Sequence, residues 1–157
     1  MVVKPGGGSK EAEAAAAEVM EWQELAVVDR LYDVFTVAGL RVDAIEPGRA
    51  LCTFTVPPRL TDASNRMHGG ALASLVDLVG SAVFFAGGSP TTGVSLEITV
   101  SYLNAARANE EIEIEARVLG IGGTTGCVTV EVRRKSTGDV IAHGRHTKYL
   151  AIVSSKL

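Results

Sequence analysis

Alternating apolar and polar residues mark two segments before a long apolar run and four segments after it. Alternation with a period of two is typical of strands that bury one face. In the segment 92–103 it places Ser95 on the polar face, opposite to Ile98 and Val100. The linkers at 120–125 and 135–139 are rich in glycine and small polar residues, which indicates hairpin turns.

The apolar run from Ala71 to Ala86 predicts a helix, because small and leucine-type residues dominate it and the sequence GGSP follows it. A helix that is apolar all round should be buried on every side. The run is too short and too interrupted to span a bilayer, so no membrane span is predicted. The simplest arrangement is an α+β domain in which an antiparallel sheet of about six strands wraps round this central helix.

The ends of the chain differ from this domain. Residues 1–10 are predicted to form a disordered tail, and 11–34 have the apolar spacing of an N-terminal helix. The domain then covers 35–153, and 154–157 form a C-terminal tail. The final tripeptide, Ser155-Lys156-Leu157, is typical of an address for the peroxisomal import receptor. A peroxisomal location is therefore expected, with the cytoplasm as the alternative.

Composition narrows the choice of partners. The chain has 157 residues, the size of one domain, and a formal charge of -3 at pH 7. This balance gives no general attraction to nucleic acid or to anionic membranes. Cys52 and Cys127 are isolated in apolar segments without metal-ligand spacing, so they are predicted to be reduced core residues.

Asp77 interrupts the apolar run, and no cationic residue lies within four positions of it. A buried carboxylate is costly unless it is paired or used. At the head of the run stands His68-Gly69-Gly70. First-turn N–H groups of a helix have no internal acceptors, so Gly69 and Gly70 are predicted to offer donors to an oxygen that becomes negative during a reaction.

One helix does not bring both groups to one reacting atom. Gly69 and Asp77 are separated by eight residues, which is roughly 12 Å of helical rise. If both are catalytic, each site must take Gly69 from one copy of the helix and Asp77 from a second copy across a two-fold axis. A dimer with composite sites is therefore predicted.

Three segments carry a resemblance to a known family: MHGGALASLVD at 67–77, GVSLEITVSYL at 93–103 and GRHTKYL at 144–150. They resemble the hotdog-fold acyl-CoA thioesterases of the phenylacetyl-CoA thioesterase-like group, and within it most closely the small acyl-coenzyme A thioesterases of the thioesterase superfamily member two type. The resemblance implies hydrolysis of a fatty acyl-CoA or aryl-CoA to free acid and CoA. It also implies that no cofactor and no metal is used, and that the protein is a homotetramer of two dimers.

The resemblance also implies residue roles. The N–H of Gly69 would polarise the thioester carbonyl, and Asp77 of the facing subunit would be the nucleophile or general base. His68 would orient the thioester, and Ser95 would hold the attacking water. The residues implied for binding substrate or CoA are Gly70, Ser81, Tyr102, Asn104, Arg107 and Tyr149.

Two positions depart from the family's pattern. Relatives often have Asn six residues before the motif His, where this chain has Asp62, so either Asp62 or the nearby Asn65 fills that role. Relatives also carry basic residues where this chain has VLGIGGT, around Gly120. The CoA phosphates would then be contacted by Arg107, Arg145 or Lys148, although Arg145 and Lys148 also fit a solvated edge strand.

Two other functions stay open at this point. A non-catalytic acyl-CoA-binding hotdog protein would keep the fold and tolerate loss of the acid. A 3-hydroxyacyl thioester dehydratase usually pairs His with a later Glu, and the predicted helix contains no Glu. His143 and His146 fall on opposite faces of the last strand, which argues against a shared metal.

Overall fold

The structure is a computed structural model, and it describes residues 31–86, 89 and 93–150 of the chain. The chain divides into two compact units, Met1–Ala38 and Gly39–Leu157. The first unit contains one short described helix, α1 (Leu31–Val37). The helix predicted over 11–34 therefore falls mostly outside the described residues, as do the predicted tails at 1–10 and 154–157.

The second unit confirms the predicted α+β order of two strands, one long helix and four strands. A short 3₁₀ turn, Pro58–Leu60, follows the second strand. The helix begins two residues earlier than predicted, at Gly69. The elements are β1 (Arg41–Glu46), β2 (Arg49–Thr55), α2 (Gly69–Ala86), β3 (Val94–Tyr102), β4 (Glu111–Gly122), β5 (Thr125–Arg134) and β6 (Val140–Tyr149).

All six strands form one antiparallel sheet in the order β1–β2–β4–β5–β6–β3. The predicted hairpins are present, with residues 123–124 joining β4 to β5 and residues 135–139 joining β5 to β6. β3 lies beside β6 at the end of the sheet. The last strand of the chain is therefore an interior strand, and the prediction of a solvated edge there is wrong.

The helix α2 packs on one face of this sheet and contacts all six strands. Its apolar side supplies much of the core, and each large side chain buried there contributes roughly 1.5–3 kcal/mol relative to exposure. The large buried side chains of α2 are Leu72, Leu75, Val76, Val79, Val83 and Phe84.

Within the described chain, α2 is not buried on every side, contrary to the prediction. The Asp77 side chain is 42% exposed and Phe85 is 62% exposed. The prediction that the apolar run is too short and too interrupted to span a bilayer is also wrong. The 18-residue helix α2 is long and apolar enough to cross a bilayer, judged by length and composition alone. In this fold the apolar side of the helix is used against the sheet.

Two glycines set the distance between α2 and the sheet. A Cβ added at Gly144 of β6 would lie 2.7 Å from Val76 Cγ1, and one added at Gly80 of α2 would lie 3.0 Å from Val128 Cγ2. Larger residues at either position would push the helix away. The helix therefore approaches β6 closely, next to the side chain of His146.

A β-bulge in β3 changes which of its side chains face the helix. Ser95 is opposite Lys148 and Ile98 is opposite His146, with a register shift between Ser95 and Glu97. Directly opposed residues of antiparallel strands share a face, and one extra residue in a strand inverts the alternation. Ser95 thus joins the helix-facing side together with Ile98, whereas simple alternation places the two on opposite faces.

Candidate active site

The head of α2 is capped by His68. Its carbonyl accepts hydrogen bonds from the N–H groups of Ala71 at 2.9 Å and Leu72 at 3.2 Å. Its ring Nδ1 accepts the Gly70 N–H at 3.0 Å. Nδ1 is then unprotonated, and the neutral ring carries its proton on Nε2. The exposed imidazole of His68 thus presents a donor to the solvent side of the helix head.

The two glycines of the motif are not equivalent. The Gly70 N–H is taken by His68, so the prediction that both glycines offer unused donors is wrong for Gly70. The Gly69 N–H has no hydrogen-bond acceptor within the described part of the chain. As the first residue of an 18-residue helix, Gly69 carries its donor at the positive end of the helix dipole.

Tyr102 closes over the same glycine. Its hydroxyl donates to the Gly69 carbonyl at 3.0 Å, and a Cβ at Gly69 would lie 3.3 Å from Tyr102 Cζ. A side chain at this position would press on the ring. The C-terminal end of β3 thus holds the head of α2 in place, and the Gly69 N–H is left without an acceptor among the described residues.

A cavity of about 480 Å³ opens beside the helix head. Asp62 lines it but is engaged by its own loop, since Oδ1 accepts the N–H groups of Ser64 and Arg66 and Oδ2 accepts Arg66 Nε. The hydrogen bond from the Arg66 N–H is the main reason that the pKa of Asp62 is lowered. The residues that line the cavity are Asp62, Arg66, Met67, Gly69, Leu72, Tyr102, Leu103, Asn104 and Ala105.

Of the two residues considered for the family's Asn position, Asp62 lines this cavity and Asn65 does not. Asn65 adopts φ +56°, and its backbone connects the loop, donating to Asp62 O at 2.9 Å and accepting from the Ala108 N–H at 3.0 Å. An ionised carboxylate accepts hydrogen bonds only. Asp62 therefore lines the cavity but cannot donate a hydrogen bond into it. Arg66, which Asp62 holds through a hydrogen bond, is the donor beside the cavity.

The residues predicted to bind CoA are dispersed. Asn104 lines the cavity, and its Nδ2 donates to Val140 O at 2.9 Å. Arg107 is exposed, and its backbone forms an isolated β-bridge with the backbone of Arg66. Two arginines therefore neighbour the cavity. Strand alternation puts Arg145 and Tyr149 on the sheet face opposite to α2, so the structure does not bring them to this site.

Asp77 lies in a second polar cluster, two turns along α2. Its Oδ1 is 3.5 Å from His146 Nε2 and 4.0 Å from Lys148 Nζ, and it accepts the Ser81 hydroxyl at 3.3 Å. Ser95 Oγ lies 2.8 Å from the same His146 Nε2. Asp77 Oδ2 has no hydrogen bond or ion pair within the described residues. The predicted residues Asp77, Ser81 and Ser95 are thus brought together.

The tautomer of His146 follows from its surroundings. The ring is fully buried, and its Nδ1 has no hydrogen-bond partner in the described chain. Burial is the main cause that lowers the pKa of His146, which keeps the ring neutral. A proton on Nδ1 would be an unpaired buried donor, and a bare Nε2 would face the Asp77 carboxylate. The proton therefore sits on Nε2, and Ser95 Oγ accepts it.

His146 and Lys148 are neighbours of Asp77 that the sequence did not predict. Lys148 is 5% exposed and faces α2, which contradicts its predicted place on a solvated edge and its predicted contact with CoA phosphates. A signal was present in the sequence, because His146 and Lys148 alternate in phase with the small apolar positions Ala142 and Gly144. His143 faces the other side, as predicted.

Other reactive groups lie apart from these clusters. Cys52 is buried, and burial raises the pKa of its thiol to about 11, as fits a core residue. Cys127 is only partly buried, so its prediction as a core residue is wrong. In the described part of the chain, no group of three or more His, Cys, Asp or Glu side chains is arranged to hold a metal ion.

Comparison with known proteins gives the family. The thioesterase superfamily model matches residues 64–141. Human acyl-coenzyme A thioesterase 13 is 36% identical over 104 residues, covering 66% of this chain and 74% of that protein.

Two solved structures are also similar. Zebrafish thioesterase superfamily member 2 has a TM-score of 0.72 at 34% identity, over 74% of this chain and 84% of that one. The mouse protein of the same name has a TM-score of 0.73 at 30% identity, over 84% of this chain and 96% of that one. The fold is a six-stranded sheet that packs on one long helix, and this helix carries both the Gly69 donor and Asp77. Together with this fold, the matches confirm the predicted family. This chain belongs to the thioesterase superfamily and is a hotdog-fold thioester hydrolase.

Proposed function

We propose that this protein hydrolyses acyl-CoA thioesters by general-base catalysis. The observation that carries the proposal is the Asp77 carboxylate, whose Oδ1 is held by neighbouring side chains while Oδ2 has no partner within the described residues. The similarity to an acyl-coenzyme A thioesterase supports the substrate class. Because the Asp77 side chain is 42% exposed, water reaches it in the isolated chain.

The two polar clusters supply different parts of the reaction. Asp77 Oδ2 accepts a proton from water, and the water oxygen forms a bond to the thioester carbon. Ser95 accepts from His146, so its own hydroxyl proton is available to hold that water. The Gly69 N–H stabilises the oxygen that becomes negative. The C–S bond then breaks, CoA leaves as the thiolate, and the proton held by Asp77 passes to the sulfur or to solvent.

Each site takes its two halves from two subunits. Gly69 and Asp77 lie eight residues apart on the continuous helix α2, which is roughly 12 Å and too far for contact with one carbonyl group. We infer a two-fold dimer in which the α2 helices run antiparallel. His68 Nε2–H then lies beside Gly69 as a further donor to the thioester.

The outer edge of β3, with which no other described strand pairs, supports this dimer. β3 ends the sheet, and its nine residues are almost all exposed, including the apolar Val94, Leu96 and Ile98. A long apolar edge of this kind pairs readily with another strand. Pairing two copies antiparallel about Ile98, the middle residue of β3, would bring Ser95 of one subunit close to the Tyr102 end of β3 in the other, and hence Asp77 towards Gly69. A tetramer of two such dimers stays a prediction of the resemblance.

We infer that CoA approaches the active site along the cavity at the helix head. Arg66 and Arg107 adjoin it, and guanidinium groups suit phosphate oxygens. Tyr102 and Asn104 provide contacts along the wall. Lys148, with its Nζ bound to Ser81 inside the fold, is not placed to meet a phosphate.

The test is a thiol-release assay across acetyl-, medium-chain, long-chain and aryl-CoA with wild type and Asp77→Asn. We expect turnover by wild type and a loss of about 10²-fold or more in the variant, the range typical of general-base catalysis. Undiminished turnover by Asp77→Asn would overturn the mechanism. Binding of acyl-CoA without any turnover by wild type would instead support the non-catalytic binding protein.

A single-turnover experiment on the wild type distinguishes a general-base role of Asp77 from a nucleophilic one. A nucleophilic Asp77 forms a mixed anhydride, which mass spectrometry of an acid-quenched single turnover would detect as an acylated peptide. General-base catalysis leaves Asp77 unmodified throughout. An acyl group found on the peptide that contains Asp77 would contradict the proposed role.

A further inference from the structure

Lys148 is a buried cation to which the proposed reaction assigns no role. It lies on β6, 5% exposed, with its side chain facing α2. Its Nζ donates to Ser81 Oγ at 2.7 Å and lies 4.0 Å from Asp77 Oδ1. The Ser81 hydroxyl donates in turn to that same Oδ1 at 3.3 Å. A chain of hydrogen bonds therefore runs from the ammonium group to one oxygen of the carboxylate.

Burial of this lysine carries a cost that packing does not explain. Burial is the main cause that lowers the pKa of Lys148, while the nearby Asp77 carboxylate acts in the opposite direction. A buried ion pair is often no more stabilising than apolar residues of the same volume. Methionine would fill a similar space without the cost of burying a charge. The presence of Lys148 is therefore better explained by its interaction with the Asp77 carboxylate than by packing of the core.

We propose that Lys148 is a positioning residue for Asp77: through Ser81 it holds Oδ1 in place, so that Oδ2 faces the attacking water. This inference rests on the proposed function. Lys148 does not touch the substrate in this arrangement. It acts on the reaction only through the orientation of Asp77.

The other groups near Asp77 do not replace this lysine. His146 reaches Oδ1 at 3.5 Å, but its buried ring is neutral and also serves Ser95. Glu97 of β3 is opposite Thr147, on the far face of the sheet. α2 itself carries no other charged residue. Among the described residues, Lys148 is the cation that remains within 4.0 Å of the Asp77 carboxylate.

The experiment compares the purified full-length wild type with Lys148→Met and Ser81→Ala. Lys148→Met removes the charge and keeps the length of the side chain. Lys135→Met is the matched control, because it removes the same charge from an exposed lysine whose Nζ contacts Thr53. The measurements are kcat and KM for one acyl-CoA, with melting temperatures for all variants.

For Lys148→Met we expect kcat to fall about tenfold or more with KM changed less than about twofold, the pattern of a lost transition-state interaction. Ser81→Ala should show a smaller loss in the same direction. The melting temperature of Lys148→Met should stay close to that of wild type, since the charge that is removed is buried while its partner Asp77 is 42% exposed and stays solvated.

Three outcomes would overturn the role of Lys148 while leaving the hydrolase intact. These are unchanged kcat, a rise in KM alone, which would indicate a CoA contact, and a loss of activity that is accompanied by a lower melting temperature. A wild type that releases no CoA would overturn the proposed function, and the role of Lys148 with it. The two failures are thus told apart by the wild-type assay.

Discussion

The Ser95 hydroxyl oxygen lies 2.8 Å from Nε2 of His146, and Asp77 Oδ1 approaches the same nitrogen at 3.5 Å. The three side chains are those of a serine hydrolase, but the arrangement is different. In a catalytic triad the carboxylate binds the second ring nitrogen, which leaves Nε2 to accept the serine proton. Here both partners share Nε2, and Nδ1 is buried without a partner in the described chain. Ser95 is therefore a hydrogen-bond acceptor of His146 and not an activated nucleophile.

Replacing Ser95 by alanine should slow hydrolysis without abolishing it. We expect Ser95→Ala to lower kcat about 10- to 100-fold, because the water loses a positioning donor while its general base is kept. Ser101→Ala, on the opposite face of the same strand, is the matched control. A complete loss of activity, or a serine acylated during turnover, would indicate that Ser95 is itself the nucleophile.

The composite site predicts recovery of activity from two inactive variants. Gly69→Pro removes the N–H at the first helical position, where proline is tolerated, and should lower kcat about 10²–10³-fold. Gly69→Ala, which keeps the N–H, is the control. Mixed with Asp77→Asn under subunit exchange, Gly69→Pro should restore about a quarter of wild-type activity, because half of the dimers then hold one intact site of two.

The absence of any recovery on mixing would contradict the composite site. Mass spectrometry of the native mixture should show the heterodimer, so that failed subunit exchange is recognised. A wild type that is monomeric by light scattering would also contradict the dimer across β3.

His146 should make the protein less stable as the pH falls below about 6.5, the ordinary pKa of histidine in an unfolded chain. Burial lowers the pKa of His146 in the folded state, so in this range the unfolded chain binds a proton that the folded chain does not. The free energy of unfolding, measured in urea at pH 7.5, 6.5 and 5.5, should fall more for wild type than for His146→Gln. His143→Gln should behave like wild type. Equal pH dependence in all three proteins would argue against a buried neutral ring at 146.

Adding a methyl group at Gly144 should destabilise the domain. The new Cβ would lie 2.7 Å from Val76 Cγ1, so Gly144→Ala should cost about 1–3 kcal/mol, as other overpacked cores do. Gly122→Ala is the control, since a Cβ there has no atom within 4 Å. The second substitution Val76→Ala should cost less in the Gly144→Ala background than in wild type. Additive losses in a urea unfolding series would contradict this contact.

The local elements of this protein follow from its sequence alone. Alternation predicts the strands, and the apolar run predicts the helix, because each pattern has the period of its element. The same run places Gly69 at a helix head and Asp77 two turns later. This spacing alone shows that one chain cannot supply both the Gly69 donor and the Asp77 carboxylate to the same site. Family and reaction class follow from the His68-Gly69-Gly70 motif and the acid that follows it.

Only the tertiary structure decided which side chains surround Asp77. Alternation assigns faces within one strand but not the order of strands, which depends on pairing between distant segments. Placing β3 beside β6 brought Ser95 to His146, and a single bulge turned Ser95 towards the helix. The closeness of α2 to β6, which Gly144 permits, then buried Lys148 beside the acid. The position of Ser95 depends on a register shift of one residue in β3, and the burial of Lys148 depends on the absence of a Cβ at Gly144. No hydrophobic pattern encodes either feature.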